Sequence, residues 1–276
     1  MTIGIKYGLS YYGLWERKSY GKEENDTMSK LLRVTFVVSV VVFLTNPAGA
    51  QNFKVGATPT GVPFTFLDTK TNSIQGVMVD LIQAVAKDQG FTVEIQGMPF
   101  NTLIPSLTTA KIEIISCALG ITPQRQEVVD FTTPVYTYGE GGVVNNKDTK
   151  EYKSYDDFKG EVAGVQVGTV WQEPLKKTGI FNEVRAYDSM ADAIRDVSLG
   201  RIKVAFGDYP IVAYQISQGV HKDVRLVKGI KPLLTVDIGM AVRKGDKANL
   251  EKLNKSLAKL KADGTMDKIL SKWGLK

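Results

Sequence analysis

The chain has one cysteine, Cys117, and one histidine, His221. A single cysteine excludes a disulfide within the chain. Together the two counts rule against a His/Cys metal cluster and a Cys–His nucleophile pair. No cofactor and no metal are expected. Basic residues number 35 and acidic residues 29, for a net charge of +6. No basic run is interleaved with aromatics, so the excess reads as solvated surface and not as a nucleic-acid footprint. Low-complexity tracts are also missing. What is there is globular: 276 residues, 43% apolar and 23% charged. That length supports one large or two modest domains with real cores. Cys117 sits in the apolar run Ile112–Leu119 and reads as a small buried hydrophobe. His221 lies in a turn-like Gly-Val-His-Lys-Asp segment and reads as exposed.

The N-terminal part reads as an address. Lys30 and Arg33 precede the eleven-residue apolar run Val34–Leu44, which is followed by the breaker Asn46-Pro47 and then Ala48-Gly49-Ala50. That order is a secretory signal peptide over 28–50, cleaved before Gln51. A membrane-spanning helix needs ~20 apolar residues, and this run falls well short. No cysteine at the cleavage site offers a lipid anchor. Residues 1–27 precede the signal and are read as an N-terminal extension or a start-site error, with Met28 as the true start.

The rest alternates strand and helix. Residues 53–58 read as a strand. Apolar positions 78, 81, 82 and 85 form a helical stripe that Gly90 stops. Residues 91–98 alternate like a strand, Asn101 is placed to cap a helix carrying Leu103, Ile104 and Leu107, and 112–119 reads as a buried strand. This β-α-β-α-β order implies a parallel sheet with right-handed crossovers. A second series follows the glycine-rich stretch 138–142: a strand over 161–168, helical sequence from Trp171, a helix capped by Ser189 and closed by Gly200, a strand over 203–208 and a helix opened by Pro210. The tail carries two apolar helical stripes, Leu250, Leu253, Leu257 and Leu260, then Met266, Ile269, Leu270 and Trp273, broken at Asp263-Gly264-Thr265. They are expected to pack on the first lobe.

Ligands of parallel α/β sheets bind beyond the carboxyl ends of strands, among helix N-termini. Three groups fall there. Thr122-Pro123 opens a short helix with Arg125 in its first turn, where a cation is out of place unless it serves an anion. Gly168-Thr169 follows one strand and Asp208 ends another. A guanidinium suits a carboxylate and Asp208 suits an ammonium, so the pair describes a zwitterion site. The plainer alternatives are a surface pair of Arg125 with Glu127 or Asp130, a helix-supporting Asp208, and Thr169 as a simple cap.

Several stretches carry a family resemblance: Pro63-Phe64, 76–87, 121–136, 156–169, 200–208, 238–246 and the tail 257–274. The chain resembles the polar amino-acid solute-binding proteins of bacterial ATP-driven (ABC) importers, family 3, over residues 53–276. The resemblance implies an α/β, two-lobed periplasmic binding-protein fold of type II, with two hinge crossovers near Val135–Gly139 and Leu234–Ile238 and the ligand in the interlobe cleft. Lobe 1 would comprise 51–138 and 239–276, and lobe 2 would comprise 139–238. By the same resemblance Arg125 holds the ligand α-carboxylate with Thr169, Asp208 receives the α-ammonium, and Phe100 lines the side-chain pocket. Gln166 matches a position that varies with the ligand. Phe64, Gly61, Ala118, Gly120 and Val170 complete the expected site. The implied function is extracytoplasmic capture of an amino acid or derivative by a monomer, delivered to a membrane permease by hinge closure, in the periplasm.

The sequence departs from the family pattern in the first loop. Thr58 and Gly61 stand where many members carry a polar or acidic residue and an aromatic, and Gly120 stands where many carry Ser or Thr. The pocket is expected to be larger, or filled from elsewhere by a residue such as Trp171. The alternatives are a cyclohexadienyl dehydratase-like enzyme, with Glu173 as the acid, and a soluble partner that loads a receptor. The primary reading is not an enzyme.

Overall fold

The computed structural model describes residues 51–276. The extension over 1–27 and the signal peptide over 28–50 lie outside the described residues. Among the described residues no helix is long and apolar enough to cross a membrane.

Alternating burial builds the first strand. In β1 (Asn52–Ala57), Phe53, Val55 and Ala57 turn inward while Asn52 and Lys54 face solvent. A small antiparallel sheet follows, formed by β2 (Thr60–Gly61), β3 (Thr65–Asp68) and β4 (Ser73–Gln75). The helix Val77–Gln89 buries Met78, Leu81, Ile82 and Val85, the stripe seen in the sequence, and ends at Gly90 with φ 72°. That left-handed cap suits a glycine, which has no Cβ to clash. Next come β5 (Thr92–Gly97), the helix Leu103–Thr108, β6 (Ile114–Ile115), the four-residue helix Pro123–Gln126 and β7 (Val129–Phe131).

β8 (Tyr136–Asn145) is the long strand of the fold. After it come β9 (Val162–Gln166), β10 (Glu183–Tyr187), β11 (Val204–Asp208), β12 (Val224–Leu226), β13 (Thr235–Ile238) and β14 (Ala241–Arg243). The first sheet has the order β5-β1-β6-β14-β7, with β5, β1 and β6 parallel and β14 antiparallel to β6 and β7. The second has the order β10-β9-β11-β8-β12, in which β9 is parallel to β10 and β11. β8 pairs through Gly139–Tyr136 with β13 and through Glu140–Asn145 with β11 and β12. One strand therefore runs out of a two-stranded ribbon directly into the second sheet.

The helices fall where their apolar stripes demand. Helix Met190–Ser198 buries Met190, Ile194 and Val197 against Val143, Ala205 and Val224 of the second sheet. Ser189 caps it by accepting from the Asp192 N–H at 3.2 Å. The tail helices Lys247–Ala262 and Thr265–Lys272 pack on helix Val77–Gln89, as the stripes imply. Polar contacts fix that seating: Asp80 accepts from Lys272 Nζ and Trp273 Nε1, both at 2.7 Å, and Lys259 meets Asp88. Trp273 also meets the edge of Phe66 at 5.6 Å.

Three local expectations are corrected. Asn101 does not cap the helix Leu103–Thr108, because it lies inside a 3-10 turn, Phe100–Thr102, that leads into it. The buried run 112–119 is strand only at Ile114–Ile115, because the backbone bends at Glu113 and again at Cys117–Ala118. The glycine-rich stretch 138–142 lies within β8. Its glycines serve close packing: a Cβ on Gly139 would meet Pro232 at 2.5 Å and one on Gly141 would meet Tyr209 at 3.0 Å. His221 is half-buried, and burial lowers its pKa.

Candidate functional site

Arg125 is aimed by local chemistry. Thr122 has extended backbone (φ −134°, ψ 153°), and its hydroxyl accepts from the Arg125 N–H at 3.2 Å. Pro123 occupies the first helical turn and fixes the direction of the next residues. The guanidinium donates from Nη1 to the Gly120 carbonyl at 2.6 Å and from Nη2 to the Gly168 carbonyl at 2.8 Å. It also lies 5.6 Å above the Phe100 ring, within cation–π range. Gly120 precedes this helix and Gly168 follows β9, so one side chain ties the ends of both sheets. The surface-pair alternative is not realised at Asp130, which instead accepts from Lys244 at 2.8 Å and the Gly245 N–H at 2.7 Å.

Asp208 closes β11 and precedes the helix Tyr209–Ser217, yet its side chain does not cap that helix. Its two oxygens are held elsewhere: Tyr138 donates its hydroxyl to Oδ2 at 2.8 Å and Trp171 donates Nε1 to Oδ1 at 2.6 Å. Burial raises the Asp208 pKa to about 6, opposed by those two hydrogen bonds and by the charge of Arg125. Burial also keeps the Tyr138 phenol protonated, well above its ordinary value, so it remains a donor. Cys117, fully buried nearby, has its thiol pushed up to about 12, again by burial, and is chemically quiet.

Between these groups lies a narrow cavity of about 30 Å³, the space of a single water. Six of the ten expected residues line it: Gly61, Phe100, Ala118, Gln166, Thr169 and Asp208. Arg125 and Gly120 stand beside it, joined by their hydrogen bond. Val170 packs at the same place, its Cγ1 3.0 Å from where a Cβ on Gly120 would sit. Phe64 does not line the cavity: it is fully buried and packs on Tyr136 and Tyr138. Thr169 does not cap a helix; its hydroxyl donates to the Gln166 carbonyl at 2.8 Å and tightens the turn. Trp171 does not fill the pocket either, because it is only 1% exposed and serves Asp208.

Other lining residues went unnoticed in the sequence. Met190 opens the helix capped by Ser189, and Ile211 lies in the first turn after Asp208. Both stand at helix starts beyond strand ends, so the rule that nominated Arg125 would have found them. Tyr138 had no such signal, because its role depends on the pairing of β8 with β11. Glu173 lies outside the lining and pairs with Lys176 at 3.2 Å on an exposed helix face. No group of residues suited to a metal ion occurs among the described residues.

This two-sheet architecture with a cleft at the strand ends has clear relatives. Residues 53–276 match the sequence model of the bacterial extracellular solute-binding proteins, family 3. The chain belongs to that family, the extracellular binding components with a two-lobed α/β fold. It is 34% identical to the ABC transporter arginine-binding protein 1 of Escherichia coli (strain K12), over 89% of this chain and 99% of that protein. Identity to the histidine-binding periplasmic protein of the same strain is 31%, over 89% and 95%. Among solved structures, an ancestral arginine-binding protein bound to glutamine superposes with a TM-score of 0.75 at 33% identity, covering 82% of this chain and 98% of that one.

Proposed function

We propose that this protein captures an α-amino acid, or a close derivative, outside the cytoplasm and hands it to the membrane permease of an ATP-driven importer. The observation that carries this reading is the placement of an anionic side chain, Asp208 at the end of β11, in the lining of one cavity, with a cationic one, Arg125 on the helix Pro123–Gln126, beside it. In this reading Arg125 receives the carboxylate through the N–H groups its carbonyl partners leave over, with Thr169 beside it. Asp208 receives the ammonium. Its donors Trp171 and Tyr138 hold it in position, so little reorganisation is needed on binding.

The ribbon of Tyr136–Gly139 with Thr235–Ile238 is proposed as the hinge, with lobe 1 from 51–138 and 239–276 and lobe 2 from 139–238. A cavity of about 30 Å³ cannot admit an amino acid, so entry requires the lobes to part. A ligand that touches both lobes binds the closed arrangement better and shifts the population toward it. The protein acts as a monomer in the periplasm, reached through cleavage before Gln51, and it is not an enzyme. The dehydratase alternative needs a proton-transferring acid, and exposed Glu173 is poorly placed to supply one. Calorimetric titration with the twenty amino acids tests the proposal. Saturable one-to-one binding of at least one of them is expected, and a flat response from refolded, ligand-stripped protein to all of them would contradict it.

A further inference from the structure

The charges at the cavity already balance. Its lining has one ionisable side chain, Asp208, and one cation, Arg125, stands beside it. If these two hold the ammonium and carboxylate of an amino acid, as proposed above, both are used by the groups that every α-amino acid shares. The remaining walls are neutral. Thr58 and Thr60 pair their hydroxyls at 3.3 Å. Gln166 donates one Nε2 N–H to the Asp188 carbonyl at 3.1 Å, which leaves its second N–H and its amide oxygen, both uncharged. Met190 and Ile211 supply apolar surface. Ile211 Cδ1 sits 3.4 Å from where a Cβ on Gly61 would lie, so the apolar wall of one lobe closes directly on the first-lobe turn of the other.

We infer that the cargo carries an uncharged side chain. With Asp208 and Arg125 taken by the α-groups, a side-chain guanidinium, ammonium or second carboxylate entering this pocket would lose its water and find no opposite charge left among the lining side chains. Unpaired charge in a desolvated site is among the costliest arrangements in recognition. A neutral amide or hydroxyl meets instead two hydroxyls and an amide oxygen that it can satisfy, and a thioether meets the apolar wall. The inference rests on the amino-acid reading of the site, and it separates this chain from what the names of its sequence relatives would suggest.

The test is a calorimetric panel on the ligand-stripped protein with L-glutamine, L-threonine and L-methionine against L-arginine, L-lysine and L-glutamate. At least one neutral probe is expected to bind roughly thirtyfold or more tightly than every charged one. Two variants sharpen it. Thr60→Asp adds a carboxylate to the first-lobe wall, and Gln166→Glu adds one to the opposite wall. Either is expected to raise affinity for arginine or lysine about tenfold, the worth of a modest charge pair. If arginine, lysine or glutamate binds the wild type as tightly as the best neutral probe, the inference is overturned while the amino-acid reading stands. Failure of every probe would overturn the inference, and the titration with all twenty amino acids would then decide the reading beneath it.

Discussion

The two lobes present their charged anchors in opposite ways. In the second lobe Asp208 ends a central strand and is clamped by two donors, one of them the fully buried Trp171. In the first lobe Arg125 rides on a four-residue helix and reaches only main-chain carbonyls, one on each lobe. The aspartate is fixed before anything arrives. The arginine contact with Gly168, in contrast, would under the proposed hinge motion exist only while the lobes are together. In the proposed function, one anchor sets where the ligand goes and the other reports whether the cleft is shut.

That difference ranks the expected effects. Asp208→Ala should be the most damaging, because it strands the ligand ammonium and also orphans the Tyr138 and Trp171 donors. A loss of roughly a hundredfold or more in affinity is expected by calorimetry, in protein whose circular dichroism matches wild type. Arg125→Ala should cost roughly thirtyfold or more. Arg125→Lys keeps the charge without the planar fork and should fall between Arg125→Ala and wild type. Equal losses for Lys and Ala would show that geometry, not charge, is what the position supplies.

Proton linkage gives the next effect. The Asp208 pKa is raised in the folded state, so its ionisation opposes folding. That cost is absent below the ordinary value of 3.8, where the group is protonated folded and unfolded alike. It grows as pH rises from 3.8 to about 6 and is then constant. A ligand ammonium needs the ionised form. Affinity should therefore be flat above pH 6 and fall about tenfold per unit below it, with proton release on binding near that midpoint. Trp171→Phe removes one hydrogen bond to the carboxylate and should move the midpoint upward. An unshifted midpoint would mean that Trp171 only packs.

The smallest expected effect concerns closure itself. A Cβ on Gly120 would lie 2.8 Å from Val236 Cγ2 and 3.0 Å from Val170 Cγ1. Gly120→Ser should thus hinder approach of the lobes and weaken binding several-fold, with a larger mean radius in solution scattering. Unchanged affinity and radius would mean that the valines yield without cost.

Much of this was legible in the sequence, for physical reasons. The stripe of Met78, Leu81, Ile82 and Val85 allows only one inward face, so the helix could be read directly. Thr122 and Ser189 announce helix starts, because their hydroxyls answer free N–H groups. Arg125 was conspicuous for a related reason: a cation in the first turn of a helix needs an anion to justify it. What escaped depends on contacts distant in the chain. Phe64 was expected at the ligand, yet its ring is drawn into the Tyr136–Tyr138 cluster. Tyr138 and Trp171 serve a carboxylate 70 and 37 residues away, and no local pattern encodes such a bond. The glycine-rich stretch at 139–142 gave no strand signal, because strand glycines chosen for close packing look the same in sequence as flexible ones.

The most direct test of the account leaves the protein untouched and changes the ligand. The tightest-binding amino acid would be compared by calorimetry with its α-carboxamide, which lacks the anion, and its N-acetyl form, which lacks the cation. The account predicts that each derivative binds the wild type roughly thirtyfold or more weakly than the parent. Parent-like affinity for either one would contradict the pairing of Arg125 and Asp208 with the two ends of an amino acid.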